Sequence, residues 1–153
     1  RSNIRVVSPY FIPDTAIVKA LNVAALRGIG VDIVLPSNNN MPIVEWASVM
    51  QLQELIEKGC RVHYSAPPFD HTKLMVIDSA WSLIGSTNWD PRSLRLNFEF
   101  NVECYSKDLA IQLEDYIDEK IAGGRLLTLK QIEGRKFPVR LRDGLARLAS
   151  PFL

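Results

Sequence analysis

Residues 71–88 read HTKLMVIDSAWSLIGSTN, and this stretch decides the fold because it joins two strand patterns to a set of polar side chains. Apolar and β-branched residues fill the runs Lys73 to Ile77 and Ser82 to Gly85, which predicts two short strands. A hairpin turn between them brings the strand ends side by side. His71 lies two residues before Lys73, so the imidazole and the ammonium share one face, about 7 Å apart along the chain. The hairpin therefore predicts a cluster of reactive groups at one edge of a sheet.

Further polar side chains follow at the end of the second strand. Ser86 and Asn88 again lie two residues apart, so their hydroxyl and amide can point together, and Gly85 lets the backbone approach a ligand closely. A neutral imidazole can attack phosphorus while Lys73 and Asn88 stabilise charge on the non-bridging oxygens. The pattern predicts phosphoryl transfer without a metal or another cofactor. Such an imidazole needs an acceptor that orients it, and Glu99 in the following strand is the candidate.

Alternating strand and helix patterns surround this hairpin. Short apolar runs at Ile4 to Val7, Val31 to Leu35 and Arg61 to Tyr64 predict strands, and helical spacing fills the gaps between them. This order predicts parallel strands joined by helical crossovers. The hairpin and a run at Glu99 to Tyr105 add antiparallel strands. The sequence thus predicts an α/β domain, a mixed β-sheet flanked by helices on both faces.

The helices are predicted from apolar periodicity and from capping residues. Residues 107–122 form an amphipathic pattern, and a polar break at Gly123 and Gly124 precedes a short helix. Asp14 or Thr15 caps the first helix, and Asn40, with Pro42 just inside the helix, begins the second. Thr128 caps the short helix after the break, and a last helix runs from Val139 to Ala149.

Composition fits one globular domain and narrows the classes of partner. The chain has 153 residues, 47% of them hydrophobic, with 18 basic and 17 acidic residues. A net charge of +1 argues against a nucleic acid as the partner. Two cysteines far apart and two histidines do not make a zinc site, so no metal is expected. No stretch has the roughly 20 apolar residues of a membrane span, and a first residue of Arg1 suggests a fragment whose membrane anchor lies upstream.

Basic residues concentrate at the C-terminus. From Gly134 onward there are five basic residues and one acidic residue, which leaves residues 1–133 acidic. We therefore divide the domain into a catalytic part at 1–133 and a basic amphipathic helix at 134–153 that belongs to the same domain. Val139, Leu141, Leu145, Leu148 and Phe152 make the apolar side of that helix. This pattern fits contact with an anionic lipid surface or docking on another domain.

The full string His71-x-Lys73-x4-Asp78-x6-Gly85-Ser86-x-Asn88 resembles the signature of the phospholipase D superfamily, the HKD motif. The resemblance covers essentially the whole chain and is closest to the C-terminal half of bacterial cardiolipin synthases. Trp89 departs from it, because many synthases have Leu there, and its bulk would alter the fit of a lipid. The other segments that carry the resemblance are Pro9 to Pro13, Arg27 with Gly28, Asn88 to Leu94, Asn97 to Glu99 and Pro138 to Asp143.

This resemblance implies an enzyme with two HKD motifs that meet at an interface. One histidine becomes a phosphatidyl-histidine, and the other acts as general acid and then as base. In the resemblance, Ser86 matches a phosphate contact and Glu99 the partner of the imidazole, whereas Asp78 is the acid of the motif, which we expect to tie the turn together. The implied catalytic set is His71, Lys73, Asp78, Asn88 and Glu99, and the candidate substrate-binding set is Ser86, Gly85, Tyr10, Phe11 and Arg92.

Several assignments keep an alternative. Tyr10 and Phe11 line a lipid or belong to the core, and Arg92 and Arg95 bind a phosphate or pair with a nearby glutamate. His63 is interpreted as a structural or surface residue.

The resemblance implies phosphatidylglycerol at a membrane surface as substrate, on the cytosolic face of the cytoplasmic membrane, with this fragment itself soluble. Its second half-site would come from an N-terminal HKD domain of the same protein or from a symmetric second copy. The alternatives are a homodimeric single-motif nuclease, which the acidic body disfavours, and a catalytically incomplete lipid-binding domain.

Overall fold

A computed structural model of the protein describes residues 2–149 as a seven-stranded sheet with helices against it. The strand order is β6-β5-β4-β1-β2-β3-β7. The strands are β1 (Asn3–Val7), β2 (Gly30–Pro36), β3 (Arg61–Ser65), β4 (Leu74–Ile77), β5 (Trp81–Gly85), β6 (Asn101–Cys104) and β7 (Arg125–Leu127). The helices are α1 (Thr15–Leu26), α2 (Pro42–Glu57), α3 (Pro91–Arg95), α4 (Lys107–Ala122), α5 (Leu129–Glu133) and α6 (Phe137–Leu148).

The sheet is mixed, as the sequence predicts. Strands β1, β2 and β3 run parallel, and β4, β5, β6 and β7 each join the sheet antiparallel to a neighbour. Alternation along the strands separates two apolar faces. Val6 and Ile33 pack with Leu52 and the other inward residues of α1 and α2, while Val7 packs with Ile117 on α4. The predicted α/β fold with helices on both faces of a mixed sheet is confirmed.

Several local features differ from the sequence prediction, among them the unpredicted helix α3 and strand β6, which begins at Asn101 rather than Glu99. Strand β7 was not predicted, because it is only three residues long and follows two glycines. The cap position of α2 is Met41 rather than Asn40; the side chain of Asn39 accepts from the Met41 N–H, and Asn40 accepts from the hydroxyl of Tyr10. Helix α6 begins at Phe137, since a proline is favoured in the first turn. Of the predicted tail residues, Phe152 lies outside the described part of the chain.

No helix within residues 2–149 combines the length and the apolar character that crossing a membrane requires.

A buried carboxylate links β2 to β3. Asp32 is 4% exposed and accepts two hydrogen bonds from Arg61, at 2.6 and 2.7 Å. Nε2 of His63 lies 3.1 Å from the same carboxylate, so His63 has the structural role expected of it. Burial alone would raise the pKa of Asp32, but the hydrogen bonds and charges of Arg61 and His63 hold it well below its ordinary value.

This shift predicts that Asp32 stabilises the fold at neutral pH. A carboxyl whose folded pKa lies below its unfolded pKa contributes stability above the unfolded value, and this contribution falls as the pH drops below about 4. We expect Asp32→Asn to lower the free energy of unfolding by about 2 kcal/mol at pH 7, and by less at pH 3. Urea unfolding at both pH values measures this. Asp115→Asn, at an exposed position on α4, is the control, and an equal loss at pH 3 and pH 7 would contradict the assignment.

Candidate active site

His71 and Lys73 meet at the start of β4, as their spacing predicts. Nζ of Lys73 lies 2.8 Å from Nδ1 and 3.2 Å from Nε2 of the imidazole, and it donates to the carbonyl oxygen of His71 at 2.8 Å. The lysine is 8% exposed, whereas His71 is exposed. The ammonium is therefore fixed beneath an imidazole that solvent or a substrate can reach.

The electrostatics of the pair favour a neutral imidazole. Burial, and then the charge of Lys73, lower the pKa of His71 below its ordinary value of 6.5, against an opposing contribution from Asp70. Burial also lowers the pKa of Lys73, while Glu99 and other carboxylates oppose that shift. At pH 7 the imidazole is therefore neutral and has one unprotonated ring nitrogen, which is the form that can act as a nucleophile.

Ser86, at the end of β5, connects to the segment before β6. Its hydroxyl donates to the carboxylate of Glu99 and accepts from the N–H of Phe100 at 2.9 Å. Glu99 also accepts from Asn97 at 3.2 Å. The bond from Ser86 is the main cause that lowers the pKa of Glu99, and the charge of Lys73 acts in the same direction. Glu99 thus belongs to the site electrostatically, and its predicted contact with the imidazole stays a prediction.

The side chain of Asn88 lies inside this region. Its Nδ2 donates to the hydroxyl of Ser93 at 3.3 Å, and its buried Oδ1 has no hydrogen-bond partner within residues 2–149. Asp90 caps α3 by accepting from the N–H of Ser93 at 2.7 Å. These bonds fix the loop after β5, on which Ser86 and Asn88 both lie.

Asp78 is not part of this cluster. It lies in the hairpin turn at the opposite end of β4, where its φ of 55° and that of Ser79, 50°, place both in the left-handed region. Its carboxylate accepts from the N–H of Asn3 at 2.8 Å, and its own N–H donates to the side chain of Asn3 at 3.0 Å. The expectation that Asp78 ties the turn together matches this geometry, which separates the residue from the imidazole.

The glycine of the motif is required by packing. A Cβ on Gly85 would collide with the side chain and backbone of Asn101 and with the carbonyl oxygen of Phe100, because β6 lies directly against β5 at this point. The sequence predicts that the backbone at Gly85 approaches a ligand. In the structure the close neighbour is the backbone of the adjacent strand instead.

We expect Gly85→Ala to destabilise the fold by about 2 kcal/mol, since the clash is mainly with backbone atoms that cannot rotate away. Gly144 on α6 is the matched control: a Cβ there meets no atom within 4 Å, and Gly144→Ala adds helix propensity. Chemical denaturation of both variants measures the difference. Equal stability of the two variants would contradict the packing role of Gly85.

Aromatic rings line one side of the imidazole. The ring centroids of Tyr10 and Phe69 each lie 5.9 Å from that of His71. The ring of Tyr10 packs against the imidazole in a T-shaped arrangement, at an interplanar angle of 78°. The hydroxyl of Tyr10 donates to the side chain of Asn40. Phe11, in contrast, is buried in the core and stacks on Trp89 at 5.9 Å. Of the two predicted aromatic residues, Tyr10 therefore lies at the site and Phe11 lies behind it.

An apolar groove of about 250 Å³ opens beside Lys73. Trp89 forms part of its wall, together with Met75 and Leu83 on the sheet and the exposed Leu94 on α3. The bulk of Trp89, noted in the sequence, thus lies in a groove that Lys73 also lines.

The two arginines of α3 behave differently. Arg92 has an exposed side chain, and its predicted contact with a substrate phosphate stays a prediction. Arg95 donates to Asp14 at 3.1 Å, which replaces the pairing with a glutamate considered from the sequence.

Sequence reasoning missed the network that holds the loop before β4. Asp70 accepts from the N–H and the hydroxyl of Thr72, at 3.0 and 2.7 Å, and pairs with Lys120 on α4 at 2.8 Å. The hydroxyl of Tyr116, also on α4, lies 3.2 Å from the same carboxylate. These contacts tie His71 to α4. Partners 46 and 50 residues away leave no local pattern that could have revealed them.

Comparison with known proteins agrees with this geometry. A family model described as cardiolipin synthase, PLD-like domain, matches residues 1–121. The chain belongs to this family. Cardiolipin synthase 1 of Staphylococcus epidermidis is 37% identical over 153 residues, which are all of this chain and 31% of that protein. A cardiolipin synthase of Staphylococcus aureus is 33% identical over the same span. This PLD-like domain therefore spans about a third of the length of these relatives.

Solved structures share the fold of this cardiolipin synthase PLD-like domain. Nuc of Salmonella typhimurium, a phospholipase D family member, superposes with a TM-score of 0.72 at 24% identity, over 82% of this chain and 81% of that chain. A phosphatidylserine synthase of Haemophilus influenzae superposes with a TM-score of 0.78 at 16% identity, over all of this chain and 42% of the other. At these identities the likeness shows the fold, which is that of a phospholipase D domain.

Proposed function

We propose that this chain supplies one of two half-sites of a phosphatidyltransferase that makes cardiolipin from phosphatidylglycerol. The observation that carries the proposal is the exposed imidazole of His71 against the buried ammonium of Lys73. The matching family model and the identity to cardiolipin synthases support the choice of lipid. The apolar groove beside Lys73 supports an apolar substrate.

In the proposed reaction a ring nitrogen of His71 attacks the phosphorus of phosphatidylglycerol. A nitrogen–phosphorus bond forms, the bond from phosphorus to the oxygen of the glycerol headgroup breaks, and glycerol leaves with a proton from a general acid. Lys73 and Asn88 stabilise the charge on the non-bridging oxygens. The headgroup hydroxyl of a second phosphatidylglycerol then attacks phosphorus and gives up its proton, which yields cardiolipin and frees the imidazole.

The general acid must come from a second half-site. The chain has two histidines, and His63 is held in the sheet by Asp32. One imidazole cannot attack phosphorus and protonate a leaving group on the opposite side at the same time. We propose that an N-terminal HKD domain of the same protein, or a symmetric second copy, supplies the partner.

The surface beside Glu99 suits that pairing. Leu96, Phe98 and Phe100 flank it, and all three are exposed, Phe98 completely. The edge strand β6 follows directly. Large apolar side chains exposed close together in the chain beside a candidate site are typical of a protein interface. We propose that the second half-site packs here, and that the assembled protein works at the cytosolic face of the cytoplasmic membrane.

A chimera tests the proposal. This chain replaces the matching 153 residues of the Staphylococcus epidermidis relative, and the purified protein is incubated with phosphatidylglycerol vesicles. We expect cardiolipin and free glycerol in equal amounts, measured by mass spectrometry. The chain alone is the comparison and is expected to form neither. A folded chimera that forms no cardiolipin would contradict the proposal. Cleavage of DNA by the isolated chain in the absence of metal would contradict it too.

A further inference from the structure

Helix α6 packs on the domain through one side only. Ala146 and Asp143 are buried, and Ala146 packs against Val44 and Ala47 of α2. Arg142 lies over the ring of Trp46, with its guanidinium carbon 4.1 Å from the ring centroid. These contacts fix the orientation of the helix, and so they fix which side faces away from the protein.

The side facing away is apolar. Phe137, Leu141, Leu145 and Leu148 follow helical spacing along it and are 76%, 53%, 59% and 75% exposed. Between this row and the start of α2 runs a groove of about 490 Å³, whose lining includes the side chains of Leu141, Leu145 and the exposed Ile43. Four large apolar side chains in one row are more than scattered surface residues.

The exposed charges that border this row are mostly positive, with Glu133 of α5 as an acidic exception next to Phe137. Arg140 and Arg147 lie on one flank of the helix, and Lys136 precedes it. The one acidic residue of α6, Asp143, is buried and accepts from Arg135 at 2.8 Å and from Arg142 at 2.7 Å. Its negative charge is thus neutralised inside the domain. An apolar row with a basic border is the pattern of a helix that lies in the surface of an anionic bilayer.

We propose that α6, with the groove beside it, is a docking surface for an anionic phospholipid bilayer. Phe137, Leu141, Leu145 and Leu148 enter the boundary between headgroups and acyl chains, and Arg140 and Arg147 contact lipid phosphates. The basic border complements the negative charge of an anionic lipid surface, where each basic residue contributes about 1 kcal/mol, and this favours a lipid as the occupant. The choice of a phospholipid rests on the proposed function.

This surface is connected to the active site through packed side chains. Ala146 belongs to a cluster with Ile12 and Val44, and Tyr10 packs against that cluster. The ring of Tyr10 lies 5.9 Å from that of His71. The buried side of α6 is thus connected to the aromatic wall of the candidate active site.

Sedimentation of the 153-residue chain with sucrose-loaded vesicles tests the proposal. With vesicles of phosphatidylserine and phosphatidylcholine we expect binding that falls at high salt, and at least tenfold weaker binding to phosphatidylcholine alone. The double variant Leu141→Asp/Leu145→Asp should lower partitioning by more than about tenfold. Arg140→Glu/Arg147→Glu should lower it by a similar factor, since each basic residue contributes about fivefold at an anionic surface.

Matched controls locate the effect. Ile111→Asp changes an exposed apolar residue on α4, and Lys19→Glu/Lys107→Glu reverses two exposed charges on α1 and α4. Both controls should bind as the unchanged chain does, and circular dichroism checks that every variant is folded. His71→Asn should also keep binding, which separates this surface from turnover. The proposal would be overturned if Leu141→Asp/Leu145→Asp were folded and bound vesicles as the unchanged chain does. It would also be overturned if the unchanged chain formed a dimer and this variant dissociated the dimer without losing vesicle binding.

Discussion

His71→Asn is expected to lower the rate of cardiolipin formation by the chimera by about 10⁴-fold or more, because the substitution removes the nucleophile itself. Asn keeps a polar side chain of similar size at an exposed position, so the free energy of unfolding should change little. The measurement is the initial rate of cardiolipin release from phosphatidylglycerol vesicles.

The control for this substitution is the other histidine. His63→Asn disturbs the contact with Asp32 inside the sheet, so it should lower stability and leave most of the rate. The unchanged chimera should also lose activity as the pH falls through the pKa of His71, below 6.5, because protonation removes the lone pair. A rate for His71→Asn within tenfold of the unchanged chimera would contradict the role given to this residue.

Lys73→Met is expected to lower kcat by about 10³-fold, since Met fills the same space without a charge to stabilise the phosphoryl oxygens. The lysine is buried, and Met is an apolar side chain of similar size that suits a buried position, so the fold should persist. The substitution also removes a charge that lowers the pKa of His71, so the acid limb of the pH profile should move to higher pH. Both effects are read from kcat against pH.

Lys120→Met provides the comparison. Lys120 is also partly buried and pairs with Asp70, but it lies on α4 and holds the loop rather than the imidazole. For Lys120→Met we expect a smaller loss of kcat than for Lys73→Met. The acid limb should move only as far as the unpaired charge of Asp70 raises the pKa of His71. If Lys73→Met changed kcat by less than threefold, or left the acid limb in place, the ammonium would not act on the imidazole as described.

Much of the fold was predictable because its signals are local. The hairpin at β4 and β5 follows from two short apolar runs around Asp78, and Thr128 caps α5 as expected. Strand β7 was missed because three residues, two of them exposed, carry no periodicity. It exists because its backbone pairs with β3, so that Leu126 lies opposite His63.

Part of the candidate site follows from local signals as well. Strand alternation brings Lys73 to His71, and the hairpin brings Gly85 next to Lys73, whose carbonyl oxygen accepts from the N–H of Gly85. The roles of Ser86 and Asn88 at the site stay predictions. The contacts of Asp70 with α4 could not be predicted, since they depend on how α4 packs across the sheet.

The most direct test of the account is a search for the phosphatidyl group on His71. The chimera is mixed with phosphatidylglycerol, quenched during turnover under alkaline conditions that preserve phosphohistidine, and cut after Arg61 and Lys73. We predict that the peptide of residues 62–73 carries a phosphatidyl mass on His71 and that this species disappears as cardiolipin forms. Steady cardiolipin formation with no phosphatidyl group on that peptide at any time would contradict the account.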